Sequence, residues 1–159
     1  MSSAVSSEEL RELYRELILD HARSPRHFGK LDGMTHQAEG INPLCGDKLN
    51  IYFKVSSDGL IDEARFEGSG CAISVASASL LTDTVTGMAV DDALEFFSAV
   101  VTRLTGENAA PDADAVMDIG KLRALEGVKE FPSRVKCATL AWHAMDSALR
   151  CHESTVSTE

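Results

Sequence analysis

The sequence predicts an α+β fold: a small antiparallel three-stranded sheet with helices packed on one face. Three observations carry that expectation. Apolar residues recur at every second position from Leu49 to Val55, Ser57-Asp58-Gly59 follows with the chemistry of a hairpin turn, and beyond Cys71 the apolar spacing changes to three and four. The sheet signals come early and most helical signals late, which is segregation rather than the alternation of a βαβ fold.

In chain order, Ser6 with Glu9 fits a capping box, and Leu10, Leu13, Tyr14, Leu17 and Ile18 then fall on one helical face. This helix should stop before Pro25, because a residue preceding proline is disfavoured in the α region. A strand is expected near Met34 to Ile41. The next is clearer, with Leu49, Ile51, Phe53 and Val55 alternating against Asn50, Tyr52 and Lys54. Its hairpin partner runs from Leu60 to Glu67, with Ala64 and Phe66 facing inward. Ile73, Ala76, Leu80 and Thr84 then mark a helix ending near Gly87, and Leu94, Phe97, Val101 and Leu104 another ending near Gly106. Glu107 to Ala115 reads as an acidic, alanine-rich loop, followed by a short helix around Lys121 to Glu126. After Pro132, the recurrence of Val135, Ala138, Trp142, Met145 and Leu149 predicts the last helix. One domain is expected over residues 1–151, with 152–159 a polar, disordered tail.

Composition narrows the function. With 159 residues and 44% apolar content, one hydrophobic core suffices without disulfides or metal. Fifteen Lys plus Arg against 25 Asp plus Glu leave a net charge of −10, which repels nucleic-acid phosphates and anionic lipid. The longest weakly polar run, Cys71 to Leu81, falls well short of the ~18 residues a membrane span needs. Met1 to Glu9 lacks the basic and apolar regions of a secretory signal, so a cytoplasmic location is expected, where the four cysteines stay reduced.

Three of those cysteines invite chemistry. Cys45 lies in a loop, Asn42-Pro43-Leu44-Cys45-Gly46-Asp47, where Gly46 lets the backbone turn a thiolate and a carboxylate toward one centre. Cys71 follows Gly68-Ser69-Gly70 and opens a helix, and Cys137 lies in the first turns of the last helix. Helix N-termini favour anions, and hence the thiolate that reacts and binds metal. Three thiolates and one carboxylate suit a tetrahedral zinc ion. Yet the spacing, 25 residues and then 65, matches no zinc finger, and isolated cysteines are commonly small buried hydrophobes. On the residues alone both readings stand. Cys151, beside His152 at the end of the last helix, reads as non-functional, and His143, six residues after Cys137, is turned about 120° from it. His21, His27 and His36 read as surface or capping residues, or as lining for a docking surface.

Four motifs resemble one family. Leu19-Asp20-His21 with Ser24-Pro25-Arg26-His27-Phe28-Gly29, then Asn42 to Asp47, then Phe66-Glu67-Gly68-Ser69-Gly70-Cys71-Ala72-Ile73-Ser74, then Arg134-Val135-Lys136-Cys137-Ala138-Thr139-Leu140-Ala141-Trp142 are similar, in this order, to the IscU/SufU (NifU N-terminal) family of iron–sulfur cluster assembly proteins. The resemblance implies that Cys45, Asp47, Cys71 and Cys137 are the metal ligands. The scaffold-type IscU branch carries a histidine just before the third cysteine and a Leu-Pro-Pro-Val-Lys motif upstream; Lys136 and Glu130-Phe131-Pro132-Ser133-Arg134 stand in those places here. With the long segment between Cys71 and Cys137, including Asp91 to Ala115, this points to the SufU-type branch.

That branch implies zinc as cofactor and a SufS-type cysteine desulfurase as partner, with Cys45 accepting persulfide sulfur once a group on the partner takes its place on the metal. The alternative the resemblance carries is a scaffold on which a [2Fe–2S] cluster is assembled from Fe2+. Arg134, three residues before Cys137, either steadies Asp47 and the thiolates or is a solvated helix-start residue. The expected oligomeric state is a monomer or weak homodimer, and the acidic surface suits a basic patch on the desulfurase.

Overall fold

The computed structural model describes residues 7–43, 46–105, 124, 125, 128, 132–151 and 153–157. Helix α1, Ser7–Arg23, ends two residues before Pro25 as expected. Its buried face runs through Ile18 and continues to His21, which lies in the interior and not on a docking surface. Strands β1 (His36–Asn42), β2 (Asp47–Val55) and β3 (Ile61–Ser69) form an antiparallel meander with β2 in the centre. Period-two patterning sets its inner face: Ala38 from β1, Leu49, Ile51 and Phe53 from β2, and Ile61, Ala64 and Phe66 from β3 are all buried.

Helix α2, Ala72–Val85, is the centre of the helical layer. Its buried set is wider than the predicted stripe of Ile73, Ala76, Leu80 and Thr84: Ser74 and every residue from Ala76 to Thr82 are buried, whereas Ile73 and Thr84 are only half-buried. The cause is its position, with α1 on one flank, β3 beneath and the last helix on the other flank, which leaves almost no solvent face. Serine is tolerated there because its hydroxyl finds a partner at each site. Ser77 donates to the Ala138 carbonyl and accepts from Trp142 Nε1 at 3.0 Å, while Ser79 Oγ accepts from the Arg26 amide at 2.8 Å and lies 2.7 Å from His21 Nδ1.

Helix α3, Val90–Thr105, is turned by about one residue from the predicted face. Ala93, Phe96, Val100 and Leu104 are buried, and Leu94, Phe97 and Val101 only partly so. The helix carries two adjacent apolar stripes, and stacking of Phe96 on Trp142, centroids 5.8 Å apart, selects between them. Helix α4, Pro132–Cys151, lies across β1 and β2. Ser6 of the capping box, the acidic loop from Glu107 to Ala115 and most of the short helix near Lys121 to Glu126 lie outside the described residues; within that last stretch Leu125 is buried.

The polar tail needs correction. Glu153–Ser157 forms a strand, β4, parallel to β1, so the three-stranded antiparallel sheet gains a fourth member in the order β3-β2-β1-β4. A polar pentapeptide carries no burial pattern, and here backbone pairing to an open edge orders it. At the opposite edge, Gly29 N–H donates to Phe66 O at 2.7 Å and Phe66 N–H to His27 O at 3.1 Å, while the exposed Phe28 ring meets Phe66 edge-on.

Candidate metal centre

The topology brings three chain segments to one end of the sheet. Asn42 closes β1 and pairs with Asp47, which opens β2, so the connection between them is Pro43 to Gly46 and carries Cys45. Gly46 sits at φ +73°, in the left-handed region where glycine is favoured, as the turn requires. Beside this hairpin β3 ends at Ser69, and Cys71 forms the N-cap of α2. A side chain at Gly70 would place a Cβ 2.5 Å from Asp47 Oδ1, so only glycine lets β3 pass this close to the carboxylate. Cys137, fully buried on α4, completes the group.

Asp47, Cys71 and Cys137 have ligand atoms all within 4.8 Å of one another, an arrangement that can hold a metal ion. Asp47 is buried yet well supplied with donors. Cys71 N–H donates to its Oδ1 at 2.8 Å, the Ser74 hydroxyl to its Oδ2 at 2.6 Å, and Asn42 Nδ2 to the same Oδ2 at 3.4 Å. The Cys71 thiol faces Ser74 Oγ at 3.6 Å, and Cys137 Sγ lies 3.6 Å from both Asn42 Nδ2 and the Ser133 carbonyl. Asn42 Oδ1 is buried with no hydrogen-bond partner among the described residues. A buried acceptor left without a partner costs about 1–3 kcal/mol.

Of the four predicted ligands, the structure brings together Asp47, Cys71 and Cys137. Cys45 lies outside the described residues, in the connection bounded by Asn42 and Asp47. Arg134 is exposed in the first turn of α4, and Lys136 is half-buried. His143 packs edge-on against Phe97, where burial lowers its pKa against a smaller raising effect of Asp146. Sequence reasoning assigned no role to Asn42 and Ser74. The available signal was a serine three residues after a cysteine at a helix start, on the same face, and an asparagine at a strand end three residues before Cys45.

The donor set fits a borderline-soft, four-coordinate ion: two thiols and one carboxylate converge, with a third thiol in the adjoining loop. The chain as a whole is similar to known proteins. The family model of the NifU-like N-terminal domain matches residues 13–155. The zinc-dependent sulfurtransferase SufU of Bacillus subtilis is 37% identical over 144 residues, covering 91% of this chain and 94% of its own. The iron–sulfur cluster assembly scaffold protein IscU of Thermotoga maritima is 40% identical over 141 residues, covering 87% and 93%. Among solved structures, one from Fervidobacterium islandicum, described as an iron–sulfur cluster assembly scaffold protein for the SUF system, superposes with a TM-score of 0.76 at 31% identity over 87% of this chain and 98% of that one.

Proposed function

The chain belongs to the family of NifU-like N-terminal domains, and from that premise we propose that it is an iron–sulfur cluster assembly protein that accepts and carries persulfide sulfur from a cysteine desulfurase in a zinc-dependent manner. The observation that carries this reading is the convergence of Asp47, Cys71 and Cys137 beside the loop that bears Cys45. Bound zinc would be held by these four residues, keeping the thiols deprotonated at neutral pH and protected from oxidation.

The transfer step belongs to Cys45. Its thiolate attacks the terminal sulfur of the partner's cysteine persulfide; a new S–S bond forms on Cys45, the partner's S–S bond breaks, and the electron pair leaves on the partner's thiolate. No net oxidation or reduction is needed, and the terminal sulfur keeps its proton. Asp47 opens β2 where the loop ends, while the −10 charge of the chain favours encounter with a basic docking face. Arg134, exposed one turn before Cys137, adds a positive charge near the thiolates. We place the protein in the cytoplasm; no helix among the described residues is long and apolar enough to cross a membrane.

A second reading, assembly of a [2Fe–2S] cluster on the same residues, is favoured by the relative named as a scaffold in Thermotoga maritima. Lys136, half-buried next to Cys137, weighs against it, because an ammonium opposes a cation and is a poor ligand. Metal analysis with a visible spectrum separates the two. About one zinc per chain and no visible bands are expected, with metal lost in Asp47→Ala and Cys137→Ser; iron with acid-labile sulfide would move the assignment to the scaffold. Cys45→Ala should fold yet no longer stimulate the desulfurase, and full stimulation by a folded variant would overturn Cys45 as the acceptor.

A further inference from the structure

Two residues outside the ligand set touch every described member of it. Ser74 Oγ lies 2.6 Å from Asp47 Oδ2, 3.3 Å from the Cys137 carbonyl and 3.6 Å from Cys71 Sγ. Asn42 Nδ2 reaches Asp47 Oδ2 at 3.4 Å and Cys137 Sγ at 3.6 Å. Both residues are fully buried, and they come from different elements, α2 and β1.

An ionised carboxylate accepts at about four lone-pair positions. Three of those on Asp47 are taken by the protein: Cys71 N–H uses one on Oδ1, while Ser74 and Asn42 occupy Oδ2. Among the described residues, the one that remains is on Oδ1, the oxygen against which Gly70 presents no side chain. The single hydroxyl proton of Ser74 goes to Oδ2 because that contact is the shorter and the acceptor is charged. Asn42 must turn its NH2 toward Asp47 and Cys137, two anions when metal is bound, and its Oδ1 is left buried without a described partner as a result.

We propose that Ser74 and Asn42 are positioning residues that preassemble the ligand set and reserve Asp47 Oδ2 for the protein, so that Asp47 offers a metal one oxygen only. This rests on the metal-binding reading above. It holds the carboxylate to one bond and the site to four ligands, the number a zinc ion prefers over larger, oxygen-seeking cations.

The test is Co2+ titration of the metal-stripped full chain, followed by visible absorption and by competition with a chelator, for wild type, Ser74→Ala, Ser74→Thr and Asn42→Ala. Ser74→Ala should bind Co2+ about 10–100-fold more weakly, the usual effect of losing a partner behind a ligand. Its d–d bands should also weaken, as freed Oδ2 raises the coordination number above four, and Ser74→Thr should restore both. Asn42→Ala should weaken binding while the metal-free protein melts no lower than wild type, because the buried acceptor that has no partner among the described residues leaves with the side chain. Should Ser74→Ala fail to fold, Asn42→Ala decides alone. Folded variants with wild-type affinity and band intensity would overturn the proposal, as would affinity lost only in step with melting temperature. A wild-type chain that takes up no Co2+ would instead overturn the metal-binding reading itself.

Discussion

The two ends of the sheet solve the same problem in opposite ways. At the end away from the metal centre, main chain satisfies main chain: Ile61 N–H donates to Met88 O at 2.8 Å, Gly87 N–H to Ile61 O at 2.7 Å, Val90 N–H to Gly59 O at 2.9 Å and Thr35 N–H to Phe53 O at 2.8 Å. Ile61 and Val85 fill the space beneath these bonds and are fully buried. At the other end side chains do the work: Asp47, Ser74 and Asn42 hydrogen-bond one another, two thiols converge on them, and one buried acceptor has no described partner. One end is closed by main chain, and the other gathers polar groups that could hold a metal ion. Apolar packing at the first lets the second carry its cost.

Mutations can break or sharpen this contrast. The largest effect on folding is expected from Ile61→Ala, about 2–5 kcal/mol by chemical denaturation, since a fully buried branched side chain is lost from a tight site. Metal bound per folded chain should not change. A fall in metal content under conditions where the variant is fully folded would mean that the two ends are not independent.

Ser77→Ala comes next, because it tests the link between the helices that carry Cys71 and Cys137. It would leave Trp142 Nε1 without its 3.0 Å partner, at a cost of about 1–3 kcal/mol. Trp142 is the only tryptophan, so its fluorescence reports the change directly. An unshifted emission maximum together with unchanged stability would show that this hydrogen bond does not matter.

The smallest expected effect comes from pH and His143. Burial lowers its pKa in the folded chain, so the unfolded chain binds the proton first as pH falls. Its contribution to stability is complete above the ordinary value of 6.5 and is lost as pH drops through the lower, folded value. Denaturation midpoints measured between pH 7 and pH 5 should fall, and His143→Gln should make that slope shallower; an identical slope would assign it to other groups.

What could be read in the sequence was whatever depends on near neighbours. Alternation at Leu49, Ile51 and Phe53 located the central strand, and Pro25 and Pro132 located helix ends. The same local logic failed for α3, where two apolar stripes compete and a ring on α4 selects one. It failed for α2, because whether a serine is buried depends on what surrounds the helix. Ser74 and Asn42 were hidden for a related reason: besides near partners in Cys71 and Asp47, they meet groups 27 and 95 residues away, and only the fold makes those pairs. Residue type and the glycines beside Cys45 and Cys71 are local signals that raised a metal site as one of two readings, and the full set with Asp47 and Cys137 came from the resemblance to a family.

The added strand β4 and the segment from His27 to Gly29 have a consequence for the protein's life in concentrated solution. An open sheet margin is a template on which other chains pair and aggregate. Here β4 lies along β1, so the margin on that side is a strand of only five residues, and at the other margin His27 to Gly29 bond to Phe66 and cover part of β3. A short edge on one side and a partly covered edge on the other leave little strand length on which a second chain could pair.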